Sequence, residues 1–234
     1  MSGETVFLKT IIAGVVLVTS PLIACAGDVS GAVSLASEYI YRGQAVSNHK
    51  PALSVGVDYT HDSGFFGGVW ASTIELESPF GSRDTELDYY VGYHFEPGGP
   101  VALSLSVIRY TYPGHEGVLD YEHTEGALAA TLFESYSLEF AYTDDLYDLG
   151  EPARYWALRG EWPAGSYFVA SAGIGLADLS AINTDRYTYW DLGLSTRWMR
   201  VTVDLRWYDN EDIEGTLRNW SAGSRVVASV SYGF

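Results

Sequence analysis

The chain alternates apolar and polar side chains with a period of two along almost all of its length after residue 27. One segment places Leu87, Tyr89 and Val91 on one face and Glu86 and Asp88 on the other. Because successive side chains of a β-strand point to opposite faces, this period predicts strands with one apolar and one polar face. The segments that follow the pattern are 29–41, 52–60, 65–76, 85–95, 101–112, 121–133, 136–143, 153–162, 167–177, 187–198, 201–208 and 225–234.

The segments are joined by connections of alternating length. Short turns occur at 61–64, 96–100, 133–135, 163–165 and around Met199, and longer polar connections occur at 43–50, 77–84, 113–120, 144–151, 178–186 and 209–223. An even number of strands, with short turns at one end and long loops at the other, is typical of outer-membrane proteins. The sequence therefore predicts an all-β fold, a transmembrane antiparallel up-and-down β-barrel of about 12 strands over residues 27–234. A soluble β-sandwich or lipocalin-like barrel is the alternative that shows the same alternation.

Residues 1–26 have the features of a signal peptide. Lys9 precedes an apolar run too short to span a bilayer, and the run leads to Ala24-Cys25-Ala26, the small-x-small pattern that signal peptidase recognises. The chain is therefore expected to be exported to the outer membrane of a Gram-negative bacterium and cleaved. The residues ending at Cys25 also resemble a bacterial lipobox, and in that alternative Cys25 becomes a lipidated N-terminus.

Charge excludes one class of partner. The chain carries 30 acidic and 13 basic side chains and a net charge of −17, so nucleic acid is not an expected ligand. The acidic stretches 144–145 and 209–212 lack the Gly and Glu spacing of a calcium-binding loop. Neither a metal nor another cofactor is expected.

With the apolar face toward lipid, the polar face of each strand would line the barrel interior. The pore-lining candidates are Glu38, Asp58, Glu86, Asp88, Glu139, Arg159, Asp191, Asp204 and Arg206. The same assignment places Glu75, Glu122, Glu161, Arg197 and Arg225 inside. The acidic excess predicts a lumen that favours cations, and the alternative is that the charges pair and fill a narrow lumen. Arg42 and Arg109 are expected to be loop charges or charges that face lipopolysaccharide.

The last segment alternates apolar residues as far as an aromatic one. Val230, Tyr232 and Phe234 lie on one face of it. This arrangement is typical of the signal that the outer-membrane assembly machinery recognises, so that machinery is an expected partner.

Several motifs resemble those of a known family. They are 37–43 (SEYIYRG), 59–72 (YTHDSGFFGGVWAS), 86–93 (ELDYYVGY) and 110–114 (YTYPG). They closely resemble motifs of the TorF family, which is proposed to form porins, and the likeness is strongest before about residue 125. Glu38 and Tyr41 stand where the family pattern has Asp and Phe. The resemblance implies an outer-membrane barrel with a channel role.

These observations predict a narrow channel for passive diffusion of small polar solutes. The alternative is a closed outer-membrane barrel with a structural, adhesion or partner-binding role. The other expected partners are outer-membrane lipid and lipopolysaccharide, and the sequence does not indicate an oligomeric state. An enzyme is not expected, because none of the five histidines lies in a recognisable nucleophile setting and no G-x-S-x-G motif is present. His94 and His123 are the two on predicted strands.

Overall fold

The computed structural model describes residues 27–78, 81–113, 116–117, 121–184, 186–211, 213 and 222–234. The predicted signal peptide, with Cys25, lies outside the described residues. Within those residues, no helix has the length and apolar character needed to cross a bilayer.

Twelve long strands form the wall of the molecule. They are β1 (Gly27–Ala36), β2 (Ala52–His61), β3 (Phe65–Ser78), β4 (Gly81–Phe95), β5 (Val101–Thr111), β6 (His123–Leu132), β7 (Tyr136–Thr143), β8 (Ala153–Ala164), β9 (Phe168–Asp178), β10 (Tyr187–Trp198), β11 (Val201–Asn210) and β12 (Arg225–Gly233). Two-residue strands at Ile40–Tyr41, Gln44–Ala45 and Glu116–Gly117 and 3₁₀ turns at Leu146–Asp148 and Ser180–Ile182 lie in the connections.

The wall is a closed antiparallel barrel. Each strand pairs with its neighbours in chain order, and β1 pairs with β12 through a register that sets Val33 opposite Tyr232. Every backbone edge of the sheet is therefore paired, which is the condition for strands to cross a hydrocarbon layer. The predicted fold, a transmembrane-type antiparallel barrel of twelve strands, is confirmed.

The two faces of the wall differ in chemistry as the alternation predicts. Large apolar side chains on the outer face are exposed, for example Val91 (59%) and Val226 (64%). Inward-facing positions of the wall strands carry small polar side chains, such as Ser104 and Ser106 on β5 and Ser171 on β9, which are buried. An exposed apolar belt of this extent is costly in water and favourable in lipid.

The two ends of the barrel also differ. Short turns after β2, β4, β6, β8 and β10 lie at the same end as Gly27 and Phe234, and we call this the turn end. The longer connections lie at the opposite end, which we call the loop end. At the loop end, Val46, Leu146, Leu179 and Ile182 from the connections pack with inward-facing wall residues in one buried apolar cluster. We call it the loop-end cluster.

Two predicted boundaries are wrong. The segment predicted at 29–41 leaves the wall after Ala36, and the segment predicted as a polar connection at 77–84 is mostly strand. The strands β3 and β4 stay paired as far as Ser78 and Gly81, across a register shift between Thr73 and Leu76. Residues 77–84 include Pro79, Gly81 and several polar residues, which is why the sequence predicted a connection there.

The lumen as candidate functional site

The chain between β1 and β2, residues 37–51, folds into the barrel instead of standing above it, and we call it the first connection. It forms a small hairpin in which Ile40–Tyr41 pairs with Gln44–Ala45. Gly43, at φ +77, makes the bend. The Asn210 side-chain amide donates to the Gly43 carbonyl at 2.6 Å, which fixes the tip of the hairpin to β11.

Arg42 lies at the tip of this hairpin and reaches across the interior. Its two terminal nitrogens donate to the two carboxylate oxygens of Glu125 on β6, each at 2.9 Å. The guanidinium carbon lies 3.6 Å from the centre of the Tyr155 ring on β8, and Glu139 on β7 is 3.9 Å away. A planar guanidinium paired at both nitrogens and stacked on an aromatic face is a strong, directional contact. Arg42 is a charge in a connection, which is one of the two expected placements, but it points into the barrel interior and not toward lipopolysaccharide.

Further hydrogen bonds tie the first connection to the wall. The Tyr41 and Tyr110 hydroxyls lie 3.0 Å apart, and the Gln44 side chain donates to the Tyr187 hydroxyl at 3.0 Å. That hydroxyl in turn donates to the Arg42 carbonyl at 3.0 Å. These contacts reach β5 and β10, so the hairpin is held from opposite parts of the barrel wall.

Burial and neighbouring carboxylates together set the protonation states in the first connection. It disfavours the charged form of Arg42, but the Glu125 carboxylate outweighs this cost and holds the pKa of Arg42 well above its ordinary value. Burial, reinforced by the charges of Glu86 and Asp88, raises the pKa of Tyr39 well above its ordinary value. At neutral pH the Arg42 side chain is therefore positively charged and the Tyr39 phenol is neutral.

A second charged group lies in the interior on strands β8 to β11. Arg159 donates to both oxygens of Asp191, at 3.1 and 2.8 Å. Arg206 contacts Asp191 as well, and it also donates to Asp204 at 3.1 Å and to the Ser171 hydroxyl at 2.9 Å. Two arginines share one aspartate here, and Asp204 supplies the second carboxylate. We call these residues the arginine–aspartate group.

The remaining pore-lining candidates also lie inside the wall. Asp58 accepts a hydrogen bond from the Tyr90 hydroxyl. Glu86 and Asp88 are buried, and the Glu86 carboxylate accepts from Tyr112 at 3.4 Å. Glu38 belongs to the first connection and not to a wall strand, and its carboxylate lies 2.5 Å from the His49 ring nitrogen.

Sequence reasoning assigned the wrong face to one strand and so missed Glu125. We expected Glu122 inside, but it is half-exposed and pairs at 2.5 Å with Arg109. In β6, His123 and Glu125 point inward. Both faces of this strand carry small residues such as Ala127 and Ala130, so the hydrophobic pattern did not fix which face is inward. If the assignment is shifted by one residue, every side chain of the strand is placed on the opposite face.

Of the other interior assignments, Glu75 pairs with Lys50 at 2.5 Å, and Arg225 lies 3.8 Å from Glu38. Glu161 and Arg197 are exposed, and Arg197 donates to the Met199 carbonyl in the turn after β10.

The two strand histidines have ordinary partners. The His94 ring lies 2.9 Å from the Ser104 hydroxyl and 3.2 Å from Glu96, and the His123 ring stacks on Tyr110. A Ser–His contact is one part of a hydrolytic site, but acyl transfer also needs free N–H donors for the oxyanion. The strands that carry Ser104 and His94 are paired along both edges. In the described part of the chain, no group of three or more His, Cys, Asp or Glu side chains is placed to hold a metal ion.

Comparison with known proteins places the fold among outer-membrane barrels. The KdgM porin superposes with a TM-score of 0.56 at 8% identity, covering 88% of this chain and 99% of that one. The NanC porin gives 0.55 at 10% identity, covering 88% and 99%. An outer-membrane channel from Pseudomonas putida F1 gives 0.52 at 11% identity, covering 90% and 96%. At these identities the likeness concerns the fold alone.

The sequence comparisons give a family but no characterised relative. No curated protein matches the chain significantly. The family whose model matches is not named TorF, so the TorF resemblance is not confirmed. The model matches residues 23–229, and the chain belongs to the family described as bacterial protein of unknown function (Gcw_chp).

Proposed function

We propose that this protein is a narrow outer-membrane channel for passive diffusion of small polar solutes, with a preference for cations. The observation that carries the proposal is a closed wall with an apolar outer belt and an interior lined by charged and hydroxyl side chains. Such a wall separates lipid from a polar passage, and diffusion through it needs no cofactor. The porin folds of KdgM and NanC support the same interpretation.

Placement in the membrane follows from the same proposal. The turn end faces the periplasm and the loop end faces outward, as the usual lengths of turns and loops in such barrels require. Outer-membrane lipid contacts the exposed apolar belt, and lipopolysaccharide contacts the outer rim, where Arg109 is exposed. Val230 and Tyr232 on the outer face of β12, with Phe234 directly after the strand, are the proposed recognition element for the assembly machinery.

The cation preference rests on the balance of charge inside the wall. The inward carboxylates are Glu38, Asp58, Glu86, Asp88, Glu125, Glu139, Asp191 and Asp204, and the inward guanidinium groups are those of Arg42, Arg159, Arg206 and Arg225. Carboxylates outnumber guanidinium groups, so the interior potential is negative and raises the local concentration of cations. The narrowest point is expected where Arg42 lies between Glu125 and Glu139.

Single-channel recording in planar bilayers tests the proposal. The refolded barrel should show small ohmic steps and, under a KCl gradient, a reversal potential of the sign for cation preference. Glu139→Gln with Asp204→Asn should move that potential toward zero, because both carboxylates are partly accessible in the lumen. Asp62→Asn, in the exposed turn after β2, is the matched control and should leave it unchanged. An unchanged potential in the double variant would contradict the cation preference.

A closed barrel with a structural or partner-binding role is the second candidate. The loop-end cluster favours it, because Leu146 and Leu179 are fully buried among inward-facing wall residues. The same bilayer experiment separates the two functions. Well-folded protein that gives no conductance steps would exclude the passive channel and favour the closed barrel.

A further inference from the structure

Side chains of the wall strands form a pocket around the guanidinium group of Arg42. Glu125 is 1% exposed, and both of its carboxylate oxygens point to the guanidinium. The Tyr155 ring forms one face of the pocket at 3.6 Å, and the His123 ring nitrogen lies 3.5 Å from Glu125 on another side. All three residues belong to wall strands β6 and β8, so the pocket does not depend on the first connection for its form.

This pocket suits a guanidinium better than an ammonium. A carboxylate that offers both oxygens matches the parallel N–H pair of a guanidinium, and a flat cation can stack on an aromatic face. An ammonium is a point charge that uses only one of these two features. The first connection contributes Arg42 to the site, and the wall contributes the groups that recognise it.

We propose that Glu125 and Tyr155 form a guanidinium-binding site in the barrel wall, and that Arg42 fills this site as an intrachain ligand and thereby latches the first connection across the lumen. Removal of the Arg42 side chain leaves a buried carboxylate without its cation, which is an unfavourable state that a free guanidinium can relieve. The tether gives Arg42 an effective concentration of about millimolar or more, so a free ligand should not displace it in the wild-type protein at lower concentrations.

Binding to the full-length barrel in detergent tests the site directly. The Arg42→Ala variant should bind methylguanidinium with one-to-one stoichiometry in calorimetry, about tenfold or more tightly than methylammonium. Wild-type protein, whose site is filled, should bind neither at the same concentrations. The Arg42→Ala/Glu125→Gln variant should lose the binding. Absence of binding to Arg42→Ala, or equal binding to the double variant, would overturn the proposal.

Folding is checked before binding by heat-modifiable migration on gels. If Arg42→Ala does not fold alone, refolding should succeed with methylguanidinium present and fail with methylammonium. Failure with both would also count against the site. Arg42→Lys is the conservative comparison, since its ammonium reaches the carboxylate without the paired geometry, and it should exclude methylguanidinium only in part.

The effect on conductance rests on the proposed channel function, whereas the binding does not. In bilayers, Arg42→Ala should conduct more than wild type, because the first connection is no longer held across the lumen. Binding without any conductance in either protein would keep the guanidinium site and exclude the channel. Conductance that is equal in wild type and Arg42→Ala would show that the pair does not latch the lumen.

Discussion

The backbone of Gly43 lies directly against the side chain of Tyr189. A Cβ built on Gly43 would fall 2.8 Å from the Tyr189 Cβ and 3.2 Å from the Asn210 Cβ, and the φ angle of Gly43 is +77. Glycine is required there for two independent reasons, the close approach to the wall and the left-handed backbone. The position of the first connection thus depends on a residue without a side chain.

Gly43→Ala should therefore displace the hairpin from the wall. We expect it to lower the free energy of unfolding by more than Gly98→Ala, which carries only the backbone cost of about 1–2 kcal/mol. Gly98 is the matched control, since it also has positive φ but has no other atom within 4 Å of a Cβ built there. Urea titration in lipid vesicles, followed by heat-modifiable gel migration, measures both. If both variants lose the same free energy of unfolding, the contact of Gly43 with Tyr189 does not contribute to stability.

Two buried carboxylates should respond in opposite ways to neutralisation. Within the described residues, the Asp88 Oδ1 atom is buried without a hydrogen-bond partner, whereas both oxygens of Glu125 are paired with Arg42. Asp88→Asn should leave stability unchanged or higher, because a neutral amide replaces a buried carboxyl group whose Oδ1 atom has no hydrogen-bond partner. Glu125→Gln should lower it by about 3–5 kcal/mol, because Arg42 is left without its counter-charge. The urea concentrations at the midpoints of unfolding are measured for both variants and for wild type. The midpoint of Asp88→Asn should be equal to or above that of wild type, and the midpoint of Glu125→Gln should be below it.

The arginine–aspartate group should require guanidinium geometry. Arg206 spans Asp191, Asp204 and Ser171 at once, which an ammonium cannot reproduce. Arg206→Lys should cost about 1.5–3 kcal/mol, the typical value of hydrogen bonds to charged groups. Arg197→Lys, at an exposed position beside a turn, should cost little and is the control. A cost as small for Arg206→Lys as for the control would argue that the group is not a structural unit.

The free-energy cost of a charge on the outer face should depend on its depth in the bilayer. Val91 lies near the middle of the exposed apolar face of β4, and Val91→Arg should cost about 2–4 kcal/mol in a bilayer. Val29, exposed near the turn end, should tolerate the same change at about 0–1 kcal/mol. Folding yields in vesicles of defined thickness measure both. Similar yields would mean that lipid does not contact this face.

The wall strands could be predicted because apolar and polar side chains alternate along most of them with a period of two. In β12, Val226, Val230 and Tyr232 share the outward face, and the inward positions other than Val227 carry small or polar residues such as Ser229 and Ser231. The rule fails where both faces are alike, as in β6, where the inward position of Glu125 could not be read from Ala-rich neighbours. It also fails at the bulge in β3, where the register shifts after Thr73.

The first connection was not predictable from the period. Tyr39 and Tyr41 continue the spacing of Val33 and Leu35, so the period predicts that all four residues lie on one strand. The chain instead leaves the wall after Ala36, and the rings pack inside, Tyr39 against Trp70 at 5.5 Å between ring centres. Periodicity records which faces alternate but carries no information about tertiary partners such as Glu125. The position of Arg42 follows from those partners and not from its neighbours in sequence.

The seam between β1 and β12 has a consequence for the order in which the molecule is completed. The hydroxyls of Ser34 and Ser231 meet across it although they are 197 residues apart in sequence. One edge of β1 therefore has unpaired backbone N–H and C=O groups until β12 is present. A folding intermediate without β12 has two such free edges. The barrel therefore closes only when its first and last strands pair, and until then both of its free edges can pair with a strand of another chain.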